Sequence, residues 1–503
     1  MSRHYKNIQI SSLMQKSGVK FGTSGARGLV KDMTDEVCYA YTLAFIQHLH
    51  HIGDLKPKGS IAIAGDYRSS SPRILAAVAM AIRASDYTPI YCGFIPTPAV
   101  AFYAMTHHMP CMMITGSHIP DDRNGIKFYK SDGEILKEDE QSMAAQQVSI
   151  SIDSFHDNGS AIELSPLPPE HTDAYHIFIQ RYLAFFPKDC FAGQTIAVYE
   201  HSTVARDALG EILEGLGAEV IRLGRSAHFL PVDTEAIRPE DVQLAQDWAK
   251  EYAINCIVSA DGDGDRPLIS DEHGNWLRGD VAGILCAHYL GAESIATPVS
   301  CNSAIEKSGW FKHIVRTRIG SPFVIEAMNH ALQRGEQAVV GYEANGGFLT
   351  ASSITMEART LAALPTRDAI IVPLSILLMA TQKNATISAL LKTLPPRFTS
   401  SGRLKNFPSQ LSKDKLLPLK TSSTKENIRA AQQLFGNIFG NIKHIDTTDG
   451  IRITFDSEEV AHLRPSGNAP ELRCYNEANS EQRALEMNLH CMKILATWQR
   501  VDS

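Results

Sequence analysis

The sequence has no cysteine pair spaced to grip a metal or shuttle electrons. Its nine cysteines are scattered singly from Cys38 to Cys491, with no CxxC. Their number is odd, so at least one thiol stays unpaired, and reduced, mostly buried cysteines are expected. Long apolar runs are missing too. The longest, near 370–380, is interrupted by Pro373 and falls far short of the roughly 20 residues of a membrane helix. The N-terminal stretch MSRHYKNIQISSLMQKSG has no apolar core of the kind a signal peptide needs. There is no basic excess: a net charge of −7 argues against a nucleic-acid binder, yet is not acidic enough for disorder. Short-period repeats and low-complexity segments are absent. A soluble, cytoplasmic protein with no nucleic-acid or membrane partner is the expectation.

What is present is an ordinary globular composition over 503 residues, with 44% hydrophobic and 20% charged residues. At about 150 residues per domain that length predicts roughly three or four domains. Short β-branched runs alternate with helical patterns, as in α/β units. In "SIAIAGDYRSSSPRILAAVAMAIRA", residues 61–64 read as a buried strand. Ser70 or Ser71 is placed to cap the helix that follows, with Pro72 in its first turn. "YTPIYCGFIPTPAVAFYAM" repeats the scheme, and "CMMITGSH" supplies a third strand. The Pro-rich stretch "ELSPLPPEHTDAYHIFIQRYL" marks a boundary. Further α/β units follow, and the tail from about Pro396 reads as a smaller α+β domain.

Four loops carry candidate chemistry. In 115–127 an apolar strand stops at Thr115-Gly116-Ser117-His118, with Lys127 downstream; alone this is also what a plain surface turn looks like. In "SADGDGDRPLISDEHG", Asp261, Asp263 and Asp265 are packed so closely that they repel unless a cation neutralises them. Oxygen ligands favour Mg²⁺ or Ca²⁺. An EF-hand would place Glu272 at its twelfth position, but its sixth needs glycine and is Arg266, and the preceding residues are strand-like. Arg266 is placed to bind or orient a phosphate. "GYEANGGF" sets Glu343 and Asn345 among Gly341, Gly346 and Gly347, which suits hydroxyl-rich ligands or a decorated hairpin. In "RPSGNAPELRCYNE", Arg464, Ser466, Gly467, Asn468 and Arg473 read as a phosphate cradle or as a charged turn between strands. Together these are the parts of phosphoryl transfer on a sugar phosphate, which depends mainly on positioning and charge neutralisation.

The sequence resembles the α-D-phosphohexomutases nearly end to end, from "FGTSGARG" at 21–28 to "RPSGNAPELR" at 464–473. The resemblance implies three similar α/β mixed-sheet domains and a smaller C-terminal α+β domain around a central cleft. The divisions fall at 1–160, 161–277, 278–395 and 396–503. It implies that Ser117 is carried as phosphoserine, followed by His118. Arg27 and Lys127 would lie near the reacting phosphate in general acid/base roles. Mg²⁺ would be held by Asp261, Asp263, Asp265 and the phosphate on Ser117. Glu343 and Asn345 would meet the sugar, and the cradle would hold the phosphate that is not reacting. A hexose 1,6-bisphosphate serves as intermediate and activator. The family's serine corner is commonly T-A-S-H-N-P; here Gly116 and Ile119 differ. Its sugar loop is commonly G-E-x-S-G-H; here Asn345 stands for the serine and Gly347 for the histidine. Gly467-Asn468-Ala469 replaces Asn-Thr-Glu. The activity implied is interconversion of mannose 6-phosphate and mannose 1-phosphate by a monomer or homodimer, with glucose and then glucosamine phosphates as alternatives. A non-catalytic sugar-phosphate-binding protein is the reading from another class.

Overall fold

The computed structural model describes residues 4–22, 25–466 and 470–499. They gather into two compact units, Met1–Glu293 with Gly320–Ser388, and Ser294–Ile319 with Ala389–Ser503.

The first sheet of the larger unit is built on the strand Ser60–Gly65, flanked in parallel by Thr88–Tyr91 and Cys111–Ile114. Arg123–Lys130 then pairs antiparallel with Cys111–Ile114, and Ala26–Leu29 antiparallel with Arg123–Lys130. Parallel strands covered on both faces have no polar side to show, which is why these segments read as continuous apolar runs. The helices Asp35–Ile52, Ser71–Ala84 and Thr97–Thr106 follow from their local chemistry. Thr34 caps the first by accepting the Val37 N–H at 3.3 Å. Pro72 sits in the first turn of the second. Ser70 occupies that helix's N-cap position but makes no capping bond. Its Oγ accepts from Asn124 instead, at 2.8 Å, and Ser71 Oγ donates to Asp66 at 2.7 Å. Both serines are diverted to brace the strand ends, where parallel α/β sheets place ligands.

A second sheet in this unit runs Glu219–Leu223, Thr195–Tyr199, Cys256–Ala260, Pro267–Ile269, the last pairing antiparallel. The acidic loop is therefore a hairpin connection. The helical reading of an EF-hand has no counterpart, and Glu272 bonds Ser388 instead of the aspartates. Strands Val339–Tyr342 and Phe348–Thr350 form another hairpin around 343–347. The apolar run that Pro373 seemed to break is one buried helix, Ile371–Gln382, with the proline in its first turn, where no helical N–H is lost.

In the smaller unit, Ser294–Pro298 pairs in parallel with His313–Thr317. The tail forms the α+β part, an antiparallel sheet in the order Phe398–Leu404, Leu472–Ala478, Val460–Pro465, Ile451–Phe455, Ile442–Asp446. Strand Ile451–Phe455 buries alternate residues against the helices Thr424–Phe439 and Glu481–Gln499, through Phe435, Phe439, Met487 and Leu495. All nine cysteines lie outside any disulfide and eight are buried. No helix among the described residues is long and apolar enough to cross a membrane.

Candidate active site

Ser117 follows the strand Cys111–Ile114 and takes a left-handed backbone conformation, φ +55°. Non-glycine residues adopt it at a cost of about 1–3 kcal/mol, so the surroundings must hold it there. They do so through a relay. The Ser117 N–H donates to Thr115 Oγ1 at 2.7 Å, and that hydroxyl donates to Asp66 Oδ2 at 2.7 Å. Arg68 completes the brace from within the core, at 1% exposure. Its guanidinium donates to the carbonyls of Ser117 (2.8 Å), Ile119 (2.5 Å), Pro120 (2.8 Å) and Arg123 (2.9 Å), and to Asp66 at 3.1 Å. A Cβ on Gly116 would stand 2.6 Å from Arg68 Cζ. Glycine in this corner is thus the consequence of an arginine lying across it.

The serine meets the acidic loop directly. Ser117 Oγ donates to Asp261 Oδ2 at 2.6 Å. Gly264 turns that loop at φ +68°, and a Cβ on Gly262 would press to 2.9 Å from the Ser117 carbonyl. Lys127, on the neighbouring strand, donates to Asp263 at 2.6 Å and Asp265 at 2.5 Å. Thr97 Oγ1 donates to Asp263 Oδ2 at 2.6 Å. Arg367 bridges Asp265 at 3.0 Å and Glu343 at 3.3 Å, tying the acidic loop to the 343–347 hairpin. Asn345 uses its Oδ1 to accept the Gly347 N–H at 2.9 Å, which shapes the hairpin turn.

Charge is unevenly distributed among the three aspartates. Burial, then the neighbouring Asp263 and Asp265, push the Asp261 carboxyl well up. Burial opposes ionisation of Asp263 and Asp265 as well, but Lys127 on the first and Arg367 on the second outweigh it and hold both low. Their ligand oxygens lie within 4.8 Å of Asp261's. Asp263 Oδ1 and Asp265 Oδ1 are buried and carry no hydrogen bond among the described residues. Buried carboxylate oxygens without donors fit a hard divalent cation. On the other side of the balance, Arg27 Nε and Arg266 Nε are buried N–H groups without a hydrogen-bond acceptor among the described residues. Unsatisfied donors and acceptors side by side are what a metal and a phosphoryl group would complete.

His118 Nδ1 lies 3.4 Å from Ser117 Oγ and accepts from Arg266 Nη1 at 2.8 Å. Burial and Arg266 push the imidazole down to about 3, so it is neutral at pH 7. Arg27 pairs in register with Gly125, and a Cβ there would meet its Cγ at 2.9 Å. Burial and the nearby Arg266 push the Arg27 guanidinium down to about 10.

Family models for phosphoglucomutase/phosphomannomutase match alpha/beta/alpha domain I over 18–151, alpha/beta/alpha domain III over 278–398 and the C-terminal domain over 417–489. A phosphomannomutase of Salmonella muenchen is 44% identical over 485 residues, covering 95% of this chain and 96% of that protein. The chain belongs to the α-D-phosphohexomutase family. A phosphomannomutase of Sinorhizobium fredii is 43% identical, covering 93% of this chain and 96% of that one. A phosphoglucomutase/phosphomannomutase family protein of Burkholderia thailandensis shares the fold, with a TM-score of 0.71 at 19% identity over 96% of this chain and 98% of that one.

Within this phosphohexomutase the larger unit brings together Arg27, Ser117, His118, Lys127, the three aspartates, Glu343 and, through the hairpin, Asn345. Asp66, Arg68, Thr97 and Arg367 also belong there and went unassigned from sequence. A carboxylate directly after the strand Ser60–Gly65 was the one available signal for the first two.

The residues that read as a phosphate cradle fall in the smaller unit. Gly467 and Asn468 fall outside the described residues. Arg464 and Arg473 stand opposite each other on paired strands, and Arg403 faces Arg473 from the other side. Directly opposed like charges are unfavourable without a counter-ion. Asp449 supplies one at 3.0 Å from Arg464, and Glu471 lies 3.5 Å from Arg473 and 3.6 Å from Arg403. Arg473 is thus paired with Glu471 within a row of three cations.

Proposed function

We propose that the protein is a phosphomannomutase that interconverts mannose 6-phosphate and mannose 1-phosphate through phosphorylated Ser117 and a hexose 1,6-bisphosphate. The observation that carries this reading is Ser117. Its hydroxyl is presented in a strained corner 2.6 Å from Asp261, near Asp263 Oδ1, Asp265 Oδ1, Arg27 Nε and Arg266 Nε, which carry no hydrogen bond among the described residues. The identity to two phosphomannomutases supports the choice of sugar.

In the first half-reaction the P–O bond to Ser117 Oγ breaks as one forms to a hydroxyl oxygen of the hexose monophosphate, and the proton that hydroxyl loses is balanced by the one Oγ gains. In the second, the other phosphoryl group of the bisphosphate returns to Oγ. Asp261 accepts the hydrogen bond of the free hydroxyl and so polarises the oxygen that must attack. Arg27 and Arg266 are the donors for the equatorial oxygens of the transferring group. Lys127 and Arg27 are assigned the proton-handling roles, and His118 Nδ1 is engaged by Arg266. Asp261, Asp263 and Asp265 would hold Mg²⁺, which supplies charge neutralisation for the phosphoryl group when bound. Glu343 and Asn345 are assigned to sugar hydroxyls. Arg464, Ser466, Gly467, Asn468 and Arg473 are assigned to the second phosphate, a role supported by the row of cations in their own unit. The four-part division at 160, 277 and 395, and a cytoplasmic setting, belong to the same reading.

The test is intact mass spectrometry of the purified protein with and without hexose 1,6-bisphosphate, combined with kcat/KM on mannose, glucose and glucosamine phosphates. A phosphoryl adduct on Ser117 and a preference for mannose phosphates are expected. Preference for glucose phosphates would overturn the choice of sugar; absence of both adduct and turnover would overturn the mutase reading.

A further inference from the structure

Arg367 enters the site from the segment that follows the 343–347 hairpin and its second strand. It is buried to 2% exposure. One guanidinium edge donates through Nε to Asp265 Oδ2 at 3.0 Å, and Nη1 donates to Glu343 Oε2 at 3.3 Å. Nη2 stands 2.9 Å from the same Asp265 oxygen but is not aligned for a hydrogen bond, and it carries none among the described residues. The aliphatic stem crosses the hairpin backbone. A Cβ on Gly347 would lie 2.4 Å from Arg367 Cδ and 2.7 Å from Cγ, closer than real Cβ contacts allow. Position 347 is one of those where the chain departs from the common sugar-loop pattern. The volume above its backbone is not empty; Arg367 fills it.

A planar guanidinium can hold two carboxylates in one plane at fixed separation, which a lysine ammonium cannot. Here one carboxylate belongs to the acidic loop and the other to the hairpin assigned to sugar hydroxyls. The second Asp265 oxygen, Oδ1, is buried and carries no hydrogen bond among the described residues, with Arg266 Nε 3.7 Å away. The arginine therefore consumes one Asp265 oxygen and leaves the other for a ligand, while it sets where Glu343 stands.

We propose that Arg367 is a positioning residue that fixes Glu343 relative to Asp265, and that glycine at 347 is required by it. Through this coupling the phosphoryl-transfer end of the site sets the discrimination among hexose hydroxyls. The proposal rests on the mutase reading above.

The test is a double-mutant cycle between Gly347→Ala and Arg367→Ala, with Arg367→Lys as the charge-conserving variant. Readouts are kcat and KM on mannose 1-phosphate and glucose 1-phosphate, Mg²⁺ affinity by calorimetry, and thermal unfolding. Gly347→Ala alone is expected to displace the arginine stem and lower kcat/KM about tenfold or more. In the Arg367→Ala background the same change should cost far less, because the two overlapping atoms are gone and only Asn345 Oδ1, at 3.1 Å, stays close. Arg367→Lys, which keeps the charge and the fold, should raise KM more than it lowers kcat and should shift the mannose-to-glucose ratio. If Arg367→Ala does not fold, Arg367→Lys and Gly347→Ala still decide: both must shift that ratio in the same direction. Additive effects in the cycle, or an unchanged ratio in folded Arg367→Lys, would overturn the proposal with the mutase reading intact. A wild-type protein inactive on every hexose phosphate would overturn both.

Discussion

Arg68 should matter to catalysis although it is aimed at no reacting atom. An arginine side chain has five N–H donors, and here each is used: four on the carbonyls of Ser117, Ile119, Pro120 and Arg123 and one on Asp66. Arg68→Lys leaves three donors on a single nitrogen, which cannot span those carbonyls. Two or more buried acceptors would be stranded, at about 1–3 kcal/mol each. The corner can recover part of that by relaxing, since leaving the left-handed conformation at Ser117 releases about 1–3 kcal/mol. Relaxation would carry Oγ away from Asp261. Stranded carbonyls and lost alignment of about 3–4 kcal/mol correspond to a fall in kcat of roughly two to three powers of ten. The assay pairs steady-state turnover with the rate at which hexose 1,6-bisphosphate phosphorylates Ser117, followed by intact mass. Arg73→Lys is the control. Arg73 lies one turn further along, on Asp35 and the Met33 carbonyl, away from the serine corner. If Arg68→Lys unfolds at lower temperature but turns over and phosphorylates like the wild type, the corner is held by something else and the reasoning fails.

Ser117→Ala should fold normally, take up no phosphoryl group and lose turnover by several powers of ten, checked by intact mass and activity. Chelation by EDTA should abolish turnover and Mg²⁺ restore it, while Asp263→Asn should weaken Mg²⁺ binding in calorimetry by removing one ligand charge. Full activity after exhaustive chelation would contradict the metal assignment. Stability should fall as pH drops below about 6.5. His201 and His462 are buried, each donates through Nε2 to a backbone carbonyl, and burial pushes each down to about 4. Unfolded histidines take up protons near 6.5 and the folded ones do not, so the folded state loses about 1.4 kcal/mol per pH unit per histidine between 6.5 and 4. Urea unfolding of wild type and His462→Gln at pH 7.5 and 5 checks this. Comparison with the variant separates the histidine from Asp66 and Asp368, whose burial raises their carboxyls and acts in the opposite sense. Arg473→Ala should lower kcat/KM on 1-phosphate and 6-phosphate substrates alike. A lower melting temperature with normal kinetics would leave Arg473 as a partner of Glu471 only.

Much of the site was legible because phosphoryl chemistry uses dense, unusual residue strings. Asp261, Asp263 and Asp265 at alternate positions have few structural excuses, and the structure buries all three at 0% exposure. Ser117 was legible as a strand terminus. Strands read well where burial on both faces forced apolar runs, as at Cys111–Ile114. Helix starts read less well. Ser70 and Ser71 look like caps in any sequence, yet the hydroxyls were recruited to Asn124 and Asp66 because the strand ends nearby needed bracing. A local rule lost there to a tertiary demand that one sequence cannot display. Pro373 misled in the other direction: a proline interrupting an apolar run is also what a helix's first turn looks like.

The glycines hid the most. In the sequence Gly116, Gly125 and Gly347 suggest flexible loops and close approach to a ligand. In the structure each lies against an arginine: Arg68 over Gly116, Arg367 over Gly347, and Arg27 over Gly125 together with the backbone carbonyls of Ala26 and Thr115. None of the three needs a positive φ, since none is among the glycines that have one. Their common property is the missing Cβ, and the atoms that take its place belong to the protein. A guanidinium is rigid and planar, so its position is fixed once its stem is pinned against backbone. Removing a methyl group from the loop thus sets where a cation stands, although that cation is far from it along the chain. If that is the design, alanine at Gly116 or Gly347 should damage the site through its arginine, and most of the damage should vanish when that arginine is truncated; at Gly125 the carbonyls of Ala26 and Thr115, at 2.7 and 2.9 Å, would keep the clash. The prediction is sharper than a general intolerance of loop glycines, which would persist in the truncated background.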